Sequence, residues 1–577
     1  MLSYGTRGDW LDVDLLWFME ITYGGSTYRF STITMDLVDS DGVSYPYIGG
    51  LEDVVISTSL QQVGDISTQA DSVSIGITFP NVNIAKNQMN GILLEGSQTK
   101  IGYVLIRDGE IQQTYDERPI VFRGEVTGPV YGHPTRDLGY VEFSIENKVF
   151  ISAQGLLATI LGPNMYIEDV SCSNALYVPP EWPRDGQLTE VQDIHRGKVI
   201  PWVFGQLEGV IQSNGQQVSI PITPAYVIAY DPSLATPAVY YLVCGHTTNA
   251  NTVNLFSNTG ETDTSSVSSF INIDKRVLSY ITILDTSTIP QSVAPNDDRQ
   301  VWVEWDDGGA FPNPVGEGDL EGAGDICLWL LSEITQDLDY ERWNALRPYL
   351  NQYKFAGYVN DEKITVMQWL QKEVIAHLPI HIVVGERGIM PVLDIFQAGI
   401  KVEPRLKVSE GTEFERNGPI TTQNTTEDLV NNVTVRYARN GVIDDYSTFV
   451  QCSHDVPAAG ELTSTTYLAN PKAMVSVQRY GVKTRVVELD YVYSNLTAQR
   501  IANDIIERLA LPTRTVQYSV SIRYGYLQLG DIVELTDNDL GFDSVRTQVI
   551  SKMWEENRWL IELKIDDNPL NFVRVLE

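Results

Sequence analysis

Cysteine, histidine and basic residues are all scarce in this chain of 577 residues. Its four cysteines, Cys172, Cys244, Cys327 and Cys452, stand far apart with no C-x-x-C pair. They neither frame a disulfide scaffold nor match a zinc spacing. The six histidines are His133, His195, His246, His377, His381 and His454. His377 and His381 have the four-residue spacing that sets two ligands on one helical face, but Pro379 between them breaks that helix. Cys244 and His246 are close, yet no second pair stands near them to complete a metal site. Lysine and arginine number 40 against 75 acids, a formal charge of −35. Such a chain repels phosphate at long range, which argues against gripping nucleic acid without excluding a lumen past which DNA slides. No apolar run approaches the ~20 residues that cross a bilayer. Met1 to Trp17 lacks the basic-then-apolar order of a signal peptide. A soluble protein made in a cytoplasm, with no stable membrane anchor, is expected. No G-x-S-x-G elbow and no Walker-type loop with its lysine occurs, so acyl and phosphoryl transfer find no support.

What is present is core-forming material. Hydrophobic residues make up 43% and aromatics 10%, with 29 tyrosines and 11 tryptophans, enough for about three to five domains. The expected class is mainly β with α+β parts. In residues 1–155, Met19, Ile21 and Tyr23 alternate with polar neighbours, Gly24-Gly25 supplies a tight turn, and Tyr28, Phe30 and Thr32 alternate back. Val73 to Phe79, Val121 to Val126 and Val141 to Ile145 add strands, with Gly128-Pro129 and Gly132 between the last two. Together they predict a small barrel or sandwich. A connector at 156–205 is rich in proline and glycine. Residues 206–305 read as an inserted β domain. Residues 306–400 hold a loop, helices on the faces Ile326/Trp329/Leu330/Ile334 and Val366/Trp369/Leu370/Val374, and a hairpin turned at 385–388. Residues 401–577 return to strands around one helix, about Thr497 to Leu511, ended by Pro512. Asn440-Gly441 signals a hairpin. Alternation from Val516 to Tyr524 predicts one long strand, and a last hairpin pairs Val545–Trp554 with Trp559–Ile565.

Candidate chemistry centres on acids. Asp306, Asp307, Glu317, Asp319 and Glu321 crowd a glycine-rich loop, where two carboxylates could hydrolyse a glycoside or several could hold calcium. The loop lacks the ordered D-x-D-x-D-G spacing of an EF-hand, and a flexible acidic surface loop is the favoured reading. Asp39-Ser40-Asp41-Gly42 resembles the opening of a calcium loop but is explained by a turn between strands. No catalytic residue, cofactor or metal is assigned, and the chain is expected not to be an enzyme.

The C-terminal run carries more. The helix TAQRIANDIIERLALPTR leads into a strand and then Leu527-Gln528-Leu529-Gly530-Asp531-Ile532-Val533-Glu534-Leu535. Gly530 permits a sharp turn, Asp531 can bond nearby backbone, and Ile532 and Val533 resume the sheet. This order resembles the hub proteins of tailed phages, both tip-attachment proteins of long flexible tails and baseplate hubs of contractile ones. LVNNVTVRYARNG, GKVIPWVFG and KITVMQWLQKEVIAHLPIHIVVGERGIMPVL are similar to further segments of that family. The resemblance implies two small barrels, one near each end of the chain, with a β insertion and an α/β part between. It implies a homotrimer whose six barrels match a sixfold tail tube, or distal tail protein ring, to a threefold tip. It also implies contact with the tape-measure protein, a separate tip fibre protein, DNA only in passage, and a place in the virion. The alternatives are a cell-wall polysaccharide-degrading tail enzyme using the 306–325 acids, and a receptor-binding adhesin using residues 206–305.

Overall fold

The computed structural model describes residues 13–52, 54–60, 72–79, 95–132, 139–146, 198–207, 210–211, 217–231, 236–248, 250, 252–265, 267–271, 277–284, 289, 300–305, 309–335, 337–360, 363–385, 387–396, 404–411, 413–422, 427–456, 465–555 and 558–566. Among the described residues the fold is mainly β, with 50% strand against 17% helix, and two of the sheets curl into half-barrels.

The first curled sheet starts from the Gly24-Gly25 hairpin. Both glycines take positive φ, 57° and 81°, as a two-residue turn that preserves strand twist demands. Val13–Tyr23 thereby pairs antiparallel with Ser26–Ser31, and on its other side with Gln98–Arg107. Ile120–Gly132, Gly139–Glu146, Ser72–Phe79 and Val55–Ser59 follow in turn. Residues 50–52 span the remaining gap, with Gly50 N and Leu51 N donating to Ser31 O and Glu52 N to Gly76 O. The period of two sends Trp17, Met19 and Ile21 inward. Phe18 points outward, where Met35–Val38 and Ser44–Gly49 form a ribbon that covers it with Met35, Leu37 and Tyr47.

The second curled sheet runs Leu406–Ser409, Ile532–Asp537, Phe542–Glu555, Arg558–Ile565, Arg514–Val520, then the short strands Phe414–Arg416 and Thr421–Thr422. The two curled sheets join edge to edge. Val55–Ser59 pairs antiparallel with Phe542–Glu555, placing Ser59 beside Ser551, Thr58 beside Lys552 and Ser57 beside Met553. Behind the seam their side chains form one core, where Trp17 meets Trp554 at 5.6 Å and Trp559 at 6.1 Å in edge-to-face contacts.

The rest of the described chain shares a separate core spanning residues 203–510. A seven-stranded sheet between residues 223 and 305 and the helices Ala323–Ile334 and Tyr340–Leu350, which pack on each other, all contribute to it. Helix Val366–Trp369 widens into Leu370–Val374 and tightens through Ile375–His377 before the hairpin Ile380–Gly385/Gly388–Leu393. A four-stranded sheet, in the order Thr465–Ala469, Asp445–Ser453, Asn432–Asn440, Thr484–Glu488, packs on helix Asn495–Leu509.

Three local expectations change. The alternation from Val516 to Tyr524 is strand only to Val520; Ile522–Tyr526 is a 3-10 turn. Tyr524 still points into the sheet core, so a period of two in burial outlasts the strand. The C-terminal part contains a second helix, Pro471–Tyr480, capped by Asn470 through Lys472 N and Ala473 N. Gly128-Pro129 does not end a strand: Ile120–Gly132 continues past it, and the register shifts between Glu142 and Ser144 opposite. A bulge accommodates the proline's missing N–H.

Candidate functional site

The 529–533 turn lies where the second curled sheet meets the helical half. Gly530 has φ +84°, a conformation that L side chains rarely adopt. Any β-carbon there would stand 2.0 Å from Val392 Cγ1 of the Gly388–Leu393 strand. Glycine is therefore required twice over, for the turn and for the close approach. Gly530 N donates to Val549 O at 2.8 Å, and Val549 N returns a bond to Asp531 O at 2.9 Å, stitching the turn to the sheet. Asp531 is buried; its carboxylate accepts from Gln528 N at 2.8 Å and pairs with Arg405. Burial pushes its carboxyl above the usual range despite that arginine. Leu529 packs against the sheet core, Ile532 meets Ile395 and Phe396, and Val533 is fully buried in the sheet core.

Beside this turn are residues that sequence reading missed. Gln548, wholly buried, donates to Leu393 O at 2.8 Å and accepts from Ile395 N at 3.1 Å, crossing between the halves. Lys564 Nζ reaches both oxygens of Asp394, at 3.0 and 3.1 Å. Burial opposes ionising Asp394, but Lys564, with His381 behind it, outweighs burial and holds the carboxyl down at about 2. The Lys564 ammonium also lies 4.5 Å from the Phe396 ring. Gly530 on Val392, Gln548 on Leu393 and Ile395, and Lys564 on Asp394 make three adjacent fastenings between the sheet and the 380–396 hairpin. The only sequence signal was a lysine and a glutamine within apolar strands, which resembles a solvent-facing position.

A cleft of about 50 Å³ opens next to them, lined by Ile56, Val121, Val384, Met390, Leu527 and Trp559 among others. Lys552 lies across it, its ammonium donating to Gly525 O and Leu527 O and standing 4.0 Å from the Trp559 ring. The Lys552 ammonium is thus satisfied within the chain and holds elements in place.

The acidic loop is placed elsewhere. Asp306 and Asp307 lie outside the described residues. Glu317 is exposed at a hairpin tip, Asp319 bridges back to Pro312, and Glu321 pairs with Lys354. Asn313 donates to buried Asp325 at 2.7 Å, and Arg347 pairs with Asp325 at 3.0 Å, tying the loop to two helices. Among the described residues no three His, Cys, Asp or Glu side chains gather as metal ligands. His246 Nε2 accepts from Val203 N at 3.3 Å, and Cys244 Sγ meets the backbone oxygen of His246. His377 is held at about 4 by burial and by Arg508. In the 39–42 turn Asp39 Oδ1 accepts from Asp41 N and Val43 N.

Residues 407–550 match the family model Phage-tail_3, described as "Putative phage tail protein". The matched stretch contains the 529–533 turn, the four-stranded sheet and most of the second curled sheet. No curated protein matches the chain. Solved structures align with it at low identity. The tail protein from Neisseria meningitidis MC58 is 11% identical over 96% of this chain and 97% of its own, with TM-score 0.33. The 43 kDa tail protein of prophage MuSo2 from Shewanella oneidensis is 8% identical over 95% and 98%, with TM-score 0.35. A chain from the virion of a native gene transfer agent particle is 11% identical over 72% and 94%, with TM-score 0.37.

Proposed function

We propose that the chain is a structural protein of a phage tail, three copies of which form the hub at its distal tip. The observation that carries this reading is the edge-to-edge seam between Val55–Ser59 and Phe542–Glu555. One chain thereby contributes two adjacent curled sheets to a single wall, and the family match covers most of the second. Three chains would contribute six, the number that matches a sixfold tube or distal tail protein ring above to a threefold tip below. The fastenings at Gly530, Gln548 and Lys564 would hold the helical half against that wall. The tape-measure protein would end at this hub, a separate fibre protein would attach to it, and DNA would leave through it. The −35 charge would let DNA pass without adhering. Native mass spectrometry of the purified chain tests the assembly. A trimer supports the hub, and a stable monomer absent from tails refutes it.

A further inference from the structure

Two exposed surfaces of this chain have opposite charge and the same unusual apolar character. The first is the Thr484–Glu488 edge of the four-stranded sheet. Among the described strands it pairs only with Asn432–Asn440, so its other edge offers unpaired backbone groups. Residues 462–487 contain Lys472, Arg479, Lys483 and Arg485 and no acid, within a chain where acids outnumber bases 75 to 40. Val482 and Val486 stand 56% and 55% exposed there, with Met474 beside them in sequence at 47%. No ion pair among the described residues uses Arg479, Lys483 or Arg485.

The second is the outer ribbon of the first curled sheet. Its strand Met35–Val38 pairs only with Ser44–Gly49 among the described strands. Residues 30–52 contain Asp36, Asp39, Asp41 and Glu52 and no lysine or arginine. Ile33, Val38, Val43 and Ile48 are 42% to 52% exposed. Scattered exposed aliphatics are ordinary, but clusters on open strand edges mark contact surfaces.

We propose that these surfaces bind each other between copies, the acidic 33–48 ribbon of one chain docking on the basic 482–486 edge of the next. The inference rests on the reading of the chain as an assembling tail protein. Charge complementarity selects a second copy as the occupant. Aspartates at 36 and 41 would face Lys483 and Arg485, which the period of two sets on the other side of the strand from Val482 and Val486, so the ribbon would straddle the open edge and lay its own valines and isoleucines against those two. Because the two surfaces differ, the contact is head to tail, and such a contact closes into a ring when its rotation permits.

Charge reversal in the full chain tests it by sedimentation velocity over a concentration series. K483E/R485E and D36K/D41K should each weaken assembly by about tenfold or more, and the four changes together should restore it. Wild-type assembly should weaken as salt rises. Unchanged thermal melting checks that each variant folds. Assembly that ignores either double variant, or is not rescued by combining them, overturns this contact while leaving a trimeric hub intact. A wild-type chain that stays monomeric at every concentration overturns both. Duplex DNA binding that K483E/R485E abolishes, with assembly untouched, reassigns the basic edge to nucleic acid and also overturns the proposal.

Discussion

Replacing Lys564 by methionine removes the cation from a pair whose carboxylate, Asp394, has no exposed surface. At a separation of 3.0 Å the gross attraction is about 5 kcal/mol for an effective dielectric near 20. Desolvation of the two ions, several kcal/mol each, cancels most of it. The intact pair is thus close to neutral, whereas a buried carboxylate left with only Phe396 N at 3.0 Å and the His381 ring at 3.9 Å costs up to about 3–5 kcal/mol. Protonation limits that cost: taking up a proton at pH 7 from an ordinary carboxyl near 3.9 costs about 4 kcal/mol. K564M should therefore lose about 3–4 kcal/mol at pH 7 and less than about 1 at pH 4, where the proton is nearly free. The wild type behaves oppositely. Its Asp394 is depressed to about 2, so the pair's contribution is present above the unfolded value and disappears as pH falls through 2. The double variant D394L/K564M should recover most of the loss. Denaturant unfolding followed by tryptophan fluorescence at pH 7 and pH 4 measures all three. A K564M deficit that is absent at pH 7, or undiminished at pH 4, would refute the reasoning, as would a double variant no better than the single.

Four further outcomes follow from the same geometry. Gly530→Ala should cost about 2–4 kcal/mol, combining a positive φ with overlap on Val392, and should lower the thermal midpoint. Gln548→Leu strands Leu393 O and Ile395 N in the interior, costing about 2–4 kcal/mol, and hydrogen exchange should show the Ile395 amide losing protection. Thr58→Pro should break the seam to Phe542–Glu555, so that native mass spectrometry finds monomer while circular dichroism retains the helices. Glu321→Gln removes a partly exposed pair with Lys354 and should change stability by less than about 1 kcal/mol in denaturant unfolding.

The local elements were legible where one residue type had one physical use. Gly24-Gly25 marked a hairpin because two successive positive φ angles have few other solutions. Ile501, Ile505 and their neighbours marked the Asn495–Leu509 helix because a buried stripe repeats at helical spacing. Helix Pro471–Tyr480 was missed: it buries only Ala473 and Ser476 and leaves Met474 exposed, so it adds little to the core. Helix Tyr340–Leu350 was obscured by Pro348 within it. At the joint, Gly530 stood out as a turn glycine, but nothing in its surroundings in sequence pointed to Val392. Asp394 and Lys564 are 170 positions apart, and Thr58 meets Lys552 across 494. Such pairings are set by how the sheets curl and dock, which no local periodicity encodes.

In the proposed hub, two curled sheets from each of three chains share one ring. Cryo-microscopy of intact particles addresses it directly. The expected density shows three copies at the tail tip, with the curled sheets of residues 13–146 and 404–566 alternating at one radius around the channel. Density placing the two sheets of a chain at different radii, or placing the chain outside the tip, would contradict it.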